Sequence, residues 1–417
     1  MIYLNHAGTS FPKPDVVQQA VSEFSQLPPT EYGRVFEECQ KAVCDFFHIS
    51  NPDRFMFTTS CTSSLAVALD DFPWSENTPN NKDCLIISSM EHHALSRWYH
   101  KLPRERGIEA IIIPRAEDGG PLDLELLEKT LQERSIMTSS SPSSKTLVAM
   151  TMASNVTGEI LPCEQIVALC HKYNAYSLLD GAQTAGIIPI NLQQLNPDIF
   201  VFAGHKGTLT IHGLGGLYIS ERMNMTCPTA VCAYVPGGKK EHANNNKPTM
   251  AMPSYCDTGS APMMALAGLT AALQWMTNHE TFSWEQRIQH RLGLVQQLRT
   301  GLMDLSEDFE ILGQAFSGDQ IDPTSMNHPW SQYTGAVSIR LHPLKYAHHQ
   351  QNRIREIAQH LQKHDIVASM GFQCAPLAHE ALGTHEHGTL RFSVGVFTTH
   401  HEIETLLDEL QAAIQNL

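Results

Sequence analysis

The stretch Ala175–Gly216, AYSLLDGAQTAGIIPINLQQLNPDIFVFAGHKGTLTIHGLGG, decides the fold of this chain. It contains two short apolar runs, Tyr176–Leu179 and Ile199–Ala203, which are followed by Asp180 and by Gly204-His205-Lys206. Short apolar runs flanked by turn residues predict buried strands, and ligands of open α/β sheets bind just beyond the carboxyl ends of strands. An aspartate and a lysine at such positions are costly to bury unless they pair or contact a ligand.

This combination of one aspartate and one lysine is typical of sites that bind pyridoxal phosphate (PLP). That cofactor needs a lysine amine for a Schiff base and a carboxylate that keeps its pyridine nitrogen protonated, so that the ring can accept electrons. Lys206 and Asp180 would supply these two groups. On this stretch alone, an ordinary ion pair between the two side chains at the edge of a sheet explains the residues equally well.

The sequence on either side predicts an α/β fold. Apolar runs at Arg54–Thr58, Cys84–Ser89 and Ile108–Pro114 predict further strands, and the stretches between them predict helices. Strands that alternate with helices over about 200 residues indicate a mostly parallel sheet covered on both faces. A chain of 417 residues is also longer than a single core normally supports, so two domains are expected.

We expect the chain to be organised in three regions. An N-terminal segment, residues 1–15, packs on a small domain, and residues 16–260 form a large cofactor-binding domain. Residues 261–417 form a linking helix and a smaller α+β domain. The pattern from about Pro262 to Met303 predicts a long helical stretch that crosses out of the large domain.

Composition and charge argue against several kinds of partner. The formal net charge of −15 disfavours binding to nucleic acid or to an anionic membrane surface. No run of about 18 apolar residues occurs, so no membrane span is expected, and MIYLNHAGTS lacks the pattern of a secretory signal. The ten cysteines include no CxxC pair, which disfavours a zinc site or a disulfide framework and favours a cytoplasmic protein with reduced thiols.

Two further strand ends carry residues that could serve a cofactor. The Ser/Thr-rich turn before SLAVALDDF starts a helix whose N-terminal amides, with the hydroxyl of Thr62, could hold a phosphate. His92 follows the strand CLIISS, where an aromatic ring could stack on a planar cofactor. A simple helix cap and a structural histidine are the commoner explanations when each signal is taken alone.

Eight motifs cover almost the whole chain. They are YLNHAGTS, FTTSCTSSLAVAL, SMEHHALS, ASNVTGEILP, LLDGAQTAG, AGHKG followed by GLGGLYIS, DTGS at 257–260, and CAPLAH followed by GTLRFSVGVFTT. In these motifs and their order the chain resembles the class V aminotransferase group of PLP enzymes, and within it the cysteine desulfurase and selenocysteine lyase family. The resemblance implies an α/β PLP-dependent transferase fold of type I, with a mostly parallel, seven-stranded-type sheet in the large domain.

The resemblance also implies which residues contact the cofactor ring. Lys206 is the residue that forms the Schiff base, Asp180 pairs with the pyridinium nitrogen, and Gln183 hydrogen-bonds the ring hydroxyl. His92 stacks on the ring and shuttles protons, and Asn155 lies at the edge shared by ring and substrate. PLP is therefore the expected cofactor, and no metal is expected.

A second set of residues is implied to hold the cofactor phosphate. Cys61 and Thr62, through backbone and hydroxyl, contact it together with His205. Ser260 reaches the phosphate of the neighbouring subunit. This last contact implies a homodimer.

Two residues near the C-terminus are implied to choose the reaction. Arg391 takes the substrate carboxylate in a bidentate pair, and Cys374 occupies the place of the family's sulfur-accepting nucleophile, which must ionise to a thiolate. The implied function is a cysteine desulfurase, which converts L-cysteine to L-alanine, leaves a persulfide on Cys374, and passes the sulfur to an acceptor protein. A buried, inert cysteine is the simpler explanation of Cys374 taken by itself.

Three departures from the family pattern leave other reactions open. Ala203 replaces a serine two residues before His205, Thr210-Ile211 replaces the usual Gly-Pro, and the turn Ser369–Gln373 lacks the family's arginine and histidine. The alternatives are a selenocysteine lyase, and a C–S lyase or aminotransferase that acts on another amino acid. A non-catalytic scaffold is a third, different class of protein.

Overall fold

The computed structural model describes residues 1–75, 83–139, 144–223, 233–234, 261–278, 282–313, 333–346 and 350–415. The strands are β1 (Ile2–Tyr3), β2 (Phe55–Thr58), β3 (Cys84–Ser88), β4 (Glu109–Ile113), β5 (Thr146–Thr151), β6 (Tyr176–Asp180), β7 (Ile199–Ala203), β8 (Gly215–Ile219), β9 (Ala233–Tyr234), β10 (Phe309–Ile311), β11 (Ala336–Leu341), β12 (Ile366–Val367), β13 (Ser369–Gly371) and β14 (Thr389–Ser393). The α-helices are α1 (Asp15–Phe24), α2 (Tyr32–Phe47), α3 (Cys61–Asp70), α4 (His93–Arg106), α5 (Leu124–Ser139), α6 (Cys163–Lys172), α7 (Leu192–Leu195), α8 (Met263–Asn278), α9 (Trp284–Asp304), α10 (Gln350–Lys363), α11 (Pro376–Ala381) and α12 (His400–Gln415). Across these ranges we find no helix with the length and apolar character needed to cross a membrane.

The largest element of the fold is a sheet of eight strands in the order β4-β3-β5-β6-β7-β8-β2-β9. Strands β4, β3, β5, β6 and β7 pair in parallel, whereas β8 pairs antiparallel with both β7 and β2. The predicted α/β fold with a mostly parallel sheet is confirmed. The sheet has one strand more than the expected seven because the two-residue strand β9 pairs antiparallel with β2 at its edge.

Helices cover both faces of the large sheet. One face packs against α3 and α4, which contribute Leu65 and Trp98 to a buried cluster, and the other packs against α2 and α8, which contribute Phe47 and Leu269. Every residue of β2, β3 and β7 is buried. Burial on both faces explains why these strands are continuous apolar runs rather than alternating patterns.

A second sheet lies in the C-terminal part of the chain. Its four strands, in the order β10-β11-β14-β13, are antiparallel. Leu298 of α9, Ile357 of α10 and Leu406 of α12 belong to the core that packs on it. The N-terminal strand β1 pairs in parallel with β12, where Ile2 lies opposite Ile366, so the first residues of the chain contact this smaller C-terminal unit.

The helical stretch predicted from Pro262 to Met303 consists of two helices, α8 and α9, and Ser283 caps the second of them. The Ser283 Oγ accepts from the Gln286 amide (3.3 Å), while the Gln286 side chain accepts from the Ser283 amide (2.7 Å). This capping box satisfies amides that the start of a helix leaves unpaired. Helix α8 packs against α1 and α2, whereas α9 packs against α12 and β10.

The carboxyl ends of the parallel strands meet at one edge of the large sheet, and the predicted site residues follow them. β6 ends at Asp180, β7 ends three residues before Lys206, and β5 ends four residues before Asn155. Helix α3 follows β2, and helix α4, which begins directly after His92, follows β3. The sheet thereby brings residues from distant parts of the sequence to one place.

Candidate active site

Asp180 and Cys61 form the buried centre of the site. Asp180 is 3 % exposed, and its Oδ1 accepts hydrogen bonds from the Cys61 thiol (3.3 Å) and the Ala182 amide (2.9 Å). Burial raises the pKa of the Asp180 carboxyl, and these hydrogen bonds together with the charge of Lys206 oppose that shift. The structure therefore places the predicted aspartate and lysine within electrostatic reach of each other.

Lys206 has the surroundings of a reactive amine. Burial lowers its pKa from 10.5, and the Arg391 guanidinium lowers it further, while Asp180, Cys61 and Cys374 act in the opposite direction. A lower pKa leaves more of the amine uncharged at neutral pH. Only the uncharged amine can act as a nucleophile or a base.

Gln183 lies three residues after Asp180 and is buried. Its Nε2 donates to the carbonyl of Ala7 in the N-terminal segment, at 3.1 Å. The side chain therefore fastens the start of the chain to the end of β6. This contact joins residues 176 positions apart, which no local pattern predicts.

The turn that carries Gln183 packs directly on the turn that carries Lys206. A Cβ on Gly207 would overlap the carbonyl of Ala185, and a Cβ on Gly186, whose φ is +78°, would overlap the carbonyl of Gly207. Only glycine permits so close an approach of two backbones. The two glycines thus fix the Gln183 and Lys206 turns relative to each other.

The main chain at His205 holds the N-terminal segment in place. Its carbonyl accepts hydrogen bonds from the Ser10 hydroxyl (3.1 Å) and the Lys13 amine (2.9 Å). Burial, followed by the charge of Lys206, lowers the pKa of the His205 ring to about 3, so the ring is neutral at physiological pH. The buried Nδ1 of His205 has no hydrogen-bond partner among the described residues.

His92 precedes the first turn of α4 and acts as its N-cap. The ring Nδ1 accepts from the Ala94 amide at 3.0 Å. Burial lowers the pKa of His92 to about 4, and the positive charges of Lys206 and Arg391 are among the groups that add to this effect. The ring is therefore neutral at physiological pH, and because Nδ1 accepts, its proton lies on Nε2.

Arg391 lies on β14 and is 3 % exposed. Its Nη1 donates to the carbonyl of Asn155 (2.7 Å) and its Nη2 to Oδ1 of Asn5 (2.8 Å). Burial lowers the pKa of Arg391 to about 10, so the guanidinium keeps its charge at neutral pH. Within the described ranges, Nε of Arg391 and Oδ1 of Asn155 have no partner. A buried, charged guanidinium with a free donor is well suited to bind a carboxylate.

Cys374 lies in a loop that hydrogen bonds hold against the site. The Cys374 carbonyl accepts from the His93 amide (2.6 Å), and the Gln373 carbonyl accepts from Nδ2 of Asn155 (2.7 Å). Gln373 and Cys374 adopt left-handed backbone conformations with φ of 41° and 56°, which cost about 1–2 kcal/mol per non-glycine residue. Such conformations persist where surrounding contacts impose them, and they cluster at functional sites.

Cys374 is also the exposed member of the described cysteines. The other six whose state the structure gives are buried. Burial raises the pKa of each of these thiols, to about 12 for Cys39 and to about 11 for Cys44. The explanation of Cys374 as a buried, inert thiol is therefore wrong.

The turn that departs from the family pattern forms a network of its own. Oε1 of Gln373 accepts from the Thr389 hydroxyl (2.9 Å) and lies 3.1 Å from Nε2 of His379. Nδ1 of His379 lies 2.7 Å from the Thr384 hydroxyl. Burial lowers the pKa of His379 to about 4, so this ring is neutral and donates from Nε2. An uncharged network thus supports the loop that carries Cys374.

Glu91 is a buried carboxyl that the sequence analysis did not single out. It is 0 % exposed, and its Oε1 accepts from the Ser88 hydroxyl at 2.5 Å. The Thr151 amide donates to the two carboxyl oxygens, at 3.0 and 2.9 Å. Burial raises the pKa of Glu91 to about 8, and the charge of Asp180 adds to this effect. Glu91 is therefore protonated at neutral pH and links the ends of β3 and β5.

Replacing Glu91 by Gln should remove a pH dependence of stability. In the wild type the folded state holds this proton up to about pH 8, whereas the unfolded state releases it near pH 4.5. The unfolded state therefore binds fewer protons in this interval, so the wild-type free energy of unfolding falls as pH rises. We expect the free energy of unfolding of Glu91→Gln to exceed that of the wild type by an amount that grows from pH 4.5 to 8, reaching about 4 kcal/mol.

Chemical denaturation at a series of pH values checks this expectation. Glu125→Gln, on the exposed face of α5, is the matched control and should follow the wild type at every pH. If the difference in free energy of unfolding between Glu91→Gln and the wild type stays constant with pH, Glu91 does not hold a proton in the folded state at neutral pH.

The predicted phosphate-binding residues are less well defined by the structure than the other site residues. Thr62 is exposed at the second position of α3, and the Cys61 thiol is directed to Asp180, so of Cys61 only the backbone amide remains for a phosphate. Ser260 lies outside the described residues. Sequence reasoning also missed Asn5, although it lies in the YLNHAGTS motif, because its role depends on Arg391.

The side chains fit pyridoxal phosphate. The site combines a buried carboxyl with a lysine of lowered pKa, which are the two groups that the cofactor's ring nitrogen and aldehyde require. Buried polar atoms of His205, Asn155 and Arg391 have no hydrogen-bond partner among the described residues, so a bound ligand could supply one. The N-terminus of the ten-residue helix α3 supplies amides with no partner inside the helix.

Comparisons with known proteins agree with this geometry. The family model for class V aminotransferases matches residues 2–406. A cysteine desulfurase from Haloferax volcanii is 22 % identical over 430 residues, covering 99 % of this chain and 89 % of the relative.

Solved structures have the same fold as this chain. A cysteine desulfurase from Thermococcus onnurineus NA1 has a TM-score of 0.80 at 24 % identity, covering 100 % of this chain and 95 % of the other. A C-DES variant with glycine covalently linked to its PLP cofactor has a TM-score of 0.73 at 21 % identity, covering 98 % and 95 %. These structures share the fold.

Proposed function

This chain belongs to the class V aminotransferase family, and from that premise we propose that it is a PLP-dependent cysteine desulfurase. Such an enzyme removes sulfur from L-cysteine and releases L-alanine. The observation that carries the proposal is the position of Cys374. Its charge acts on the pKa of both Lys206 and Arg391, so an exposed thiol, a reactive amine and a carboxylate-binding group share one site.

We assign the cofactor to the residues at the strand ends. When bound, pyridoxal phosphate supplies an electron sink that stabilises negative charge on the Cα of the substrate. Asp180 would hold the ring nitrogen protonated, and Gln183 would turn its amide from Ala7 to the ring hydroxyl. His92 would stack on the ring, since its neutral imidazole already lies within reach of the Lys206 charge.

The phosphate would lie at the N-terminus of α3. There the backbone of Cys61 and the hydroxyl of Thr62 provide donors, and Nδ1 of His205 is a buried atom without a partner in the described chain. Ser260 of a second subunit would complete this set, which makes the protein a homodimer.

Lys206 and Arg391 would position and deprotonate the substrate. The guanidinium of Arg391, whose Nε has no partner among the described residues, binds the carboxylate. Asn155 lies next to Arg391 because its backbone carbonyl accepts a hydrogen bond from Nη1 of Arg391. The amine of Lys206, kept partly uncharged by its lowered pKa, removes the proton from Cα. Arg391 is buried and Lys206 is half-buried, so water competes little for these contacts.

Cys374 would accept the sulfur. Its thiolate attacks the sulfur atom of the substrate, a sulfur–sulfur bond forms as the carbon–sulfur bond breaks, and the carbon skeleton takes up a proton and leaves as alanine. One thiol and one cysteine thereby become one persulfide and one alanine, with no external oxidant or reductant. The exposure of Cys374 would let a thiol of a sulfur-acceptor protein reach the outer sulfur.

We also propose a cytoplasmic location. The seven cysteines whose state the structure describes are free thiols. Free thiols in this number are typical of proteins kept in a reducing compartment. The same reducing conditions would preserve the thiol of Cys374 between turnovers.

Product analysis tests the proposed function. The purified protein, loaded with PLP, is incubated with L-cysteine and a reducing thiol, and alanine, sulfide and pyruvate are measured. We expect alanine and sulfide in equal amounts and no pyruvate. Pyruvate with sulfide would show a C–S lyase instead, a keto acid without sulfide would show an aminotransferase, and a colourless protein that takes up no PLP would show a scaffold.

Replacing Arg391 by Lys should weaken substrate binding. Lysine keeps the charge but loses the planar pair of donors that grips a carboxylate, and it also loses the bonds to Asn155 and Asn5. We expect KM for L-cysteine to rise at least about tenfold, which corresponds to about 1.4 kcal/mol of lost binding. Steady-state kinetics measure this. Arg97→Lys, on the exposed side of α4, is the control, and an unchanged KM in Arg391→Lys would rule out this role.

A further inference from the structure

A cavity beside Lys206 contains two buried arginines that the proposed reaction does not use. Arg287, Arg291 and Lys206 are among the residues that line it. Arg287 is 8 % exposed and Arg291 is 7 % exposed. They lie four residues apart on α9, so both point from one face of this helix.

Neither guanidinium has a carboxylate partner among the residues that the structure describes, although that of Arg287 lies over the Trp284 ring, 4.4 Å from its centroid. Nη2 of Arg287 donates to the carbonyl of Met276 (2.7 Å), and Nη1 of Arg291 donates to the carbonyl of Ile187. Nε and Nη1 of Arg287, and Nε and Nη2 of Arg291, have no hydrogen-bond partner within the described chain. Burial lowers the pKa of both arginines to about 10. Two charged groups are thus buried with four donor atoms unused.

This arrangement is costly unless an anion completes it. A buried charge is strongly destabilising when its counter-charge is missing, and buried donors are normally paired. Within the described ranges, the one carboxylate that acts on the pKa of Arg287 is Glu285, which instead accepts a hydrogen bond from the Ser283 hydroxyl (2.8 Å). For Arg291, burial lowers the pKa, and no described carboxylate opposes it.

The other walls of the cavity indicate what kind of anion fits. They include Leu209, Trp275, Val394 and Val396, and apolar walls exclude a fully hydrated inorganic ion in favour of a molecule with a carbon body. His290 also lines the cavity, but its Nε2 lies 2.8 Å from the Thr398 carbonyl, and burial lowers its pKa. The ring is therefore neutral at physiological pH, and the two guanidiniums supply the charge.

We propose that this cavity binds the carboxylate of a small organic molecule through Arg287 and Arg291. Planar guanidiniums bind carboxylates with two parallel hydrogen bonds, and the apolar walls contact the rest of the molecule. The two arginines lie on α9, outside the residues assigned to the cofactor and the substrate. The cavity borders the active site at Lys206, but the proposed carboxylate ligands are different from Arg391, and the proposal does not depend on the desulfurase activity.

Thermal unfolding of the PLP-loaded protein tests the proposal. The probes are 3-phenylpropionate, acetate and inorganic phosphate, each compared with sodium chloride at equal ionic strength. A ligand that binds only the folded state raises the Tm. We expect 3-phenylpropionate to raise the Tm by about 2 °C or more, and acetate, which lacks the apolar body, to raise it less.

Arginine variants locate the effect. Arg287→Met and Arg291→Met should each abolish the rise with 3-phenylpropionate. Arg299→Met is the matched control, because Arg299 is a buried arginine on the same helix that packs on the ring of Tyr333 and does not line the cavity. The Tm of Arg299→Met should still rise when 3-phenylpropionate is added. A rise that survives in Arg287→Met and Arg291→Met would place the ligand elsewhere, for example at Arg391, and would overturn the proposal.

Tryptophan fluorescence gives a second readout in case the arginine variants fail to fold. Trp275 lines the cavity, and Trp284 packs on Arg287, so 3-phenylpropionate should change the tryptophan fluorescence of the wild type and should change that of Trp275→Phe less. No change in either fluorescence or Tm would overturn the proposal. A response to phosphate alone would also overturn it, since the cavity would then bind an inorganic anion.

Discussion

Lys206→Ala lowers the rate of alanine formation from L-cysteine by at least about 1,000-fold, which is the largest effect we expect from a single substitution. Lys206 is assigned two tasks, the covalent link to the cofactor and the removal of the Cα proton. The general-base step by itself typically contributes about 100- to 10,000-fold. The lowered pKa of the amine, caused by its burial, makes both tasks possible at neutral pH.

The covalent link gives a test that does not depend on activity. Borohydride reduction of the PLP-loaded wild type should fix the cofactor to the peptide that contains Lys206, as peptide mass spectrometry detects. The Lys206→Ala protein should carry no such label. Because Asp180 keeps its place at the end of β6, we expect the variant to remain folded with a Tm close to that of the wild type.

Lys13→Met is the matched control for this experiment. Lys13 is a second partly buried amine near the site, and burial lowers its pKa to about 8. Its amine, however, donates to the Ser10 hydroxyl (2.6 Å) and the His205 carbonyl (2.9 Å), so it is engaged in holding the N-terminal segment. Lys13→Met should keep the label on Lys206. A label on Lys13 in the wild type would contradict the assignment of Lys206.

Cys374→Ser should lower the rate of alanine formation from L-cysteine by at least about 100-fold while cofactor binding persists. A serine hydroxyl is not ionised at neutral pH and cannot form a persulfide, whereas a thiolate is a strong nucleophile towards sulfur. Cys374 is exposed, and its loop is fixed through the His93 amide and the Asn155 side chain. The substitution should therefore leave the structure of the site unchanged.

Two measurements separate this prediction from its alternatives. Brief treatment of the cysteine-fed wild type with an alkylating reagent, followed by mass spectrometry, should find an extra sulfur on the peptide with Cys374. Cys44→Ala, which removes a buried thiol of α2, is the control and should keep both activity and persulfide. Full activity of Cys374→Ser on L-cysteine would contradict the persulfide mechanism. Loss with L-cysteine but not with L-selenocysteine would identify a selenocysteine lyase.

The positions of the strands and of the two central site residues follow from local sequence. The runs Tyr176–Leu179 and Ile199–Ala203 are largely apolar because their strands are buried on both faces over nearly all of their length. A charged residue directly after such a run, as Asp180 is, or a few residues after it, as Lys206 is, marks the end of a strand. Both residues could therefore be assigned to strand ends from their neighbours in the sequence. The capping box at Ser283 and Gln286 is an equally local signal, and it marks where α9 begins after α8.

Contacts between distant segments have no such local signal. The pairing of Asn5 with Arg391 spans 386 residues, and that of Asn155 with Gln373 spans 218. The protonated state of Glu91 likewise depends on burial between β3 and β5. Each of these features arises from the free energy of burying polar groups together, which is set by neighbours in space rather than along the chain.

By itself, the sequence determined the α/β class and the positions of Asp180 and Lys206 at the ends of two neighbouring strands, because burial on both sheet faces leaves a direct imprint on consecutive residues. Only the tertiary structure decided that Cys374 is exposed near Lys206 and Arg391, and that Arg287 and Arg291 share a cavity in which no described residue supplies a carboxylate. Exposure, a missing counter-charge and a shifted pKa are properties of the space around a side chain. That space is filled by residues that only folding brings together.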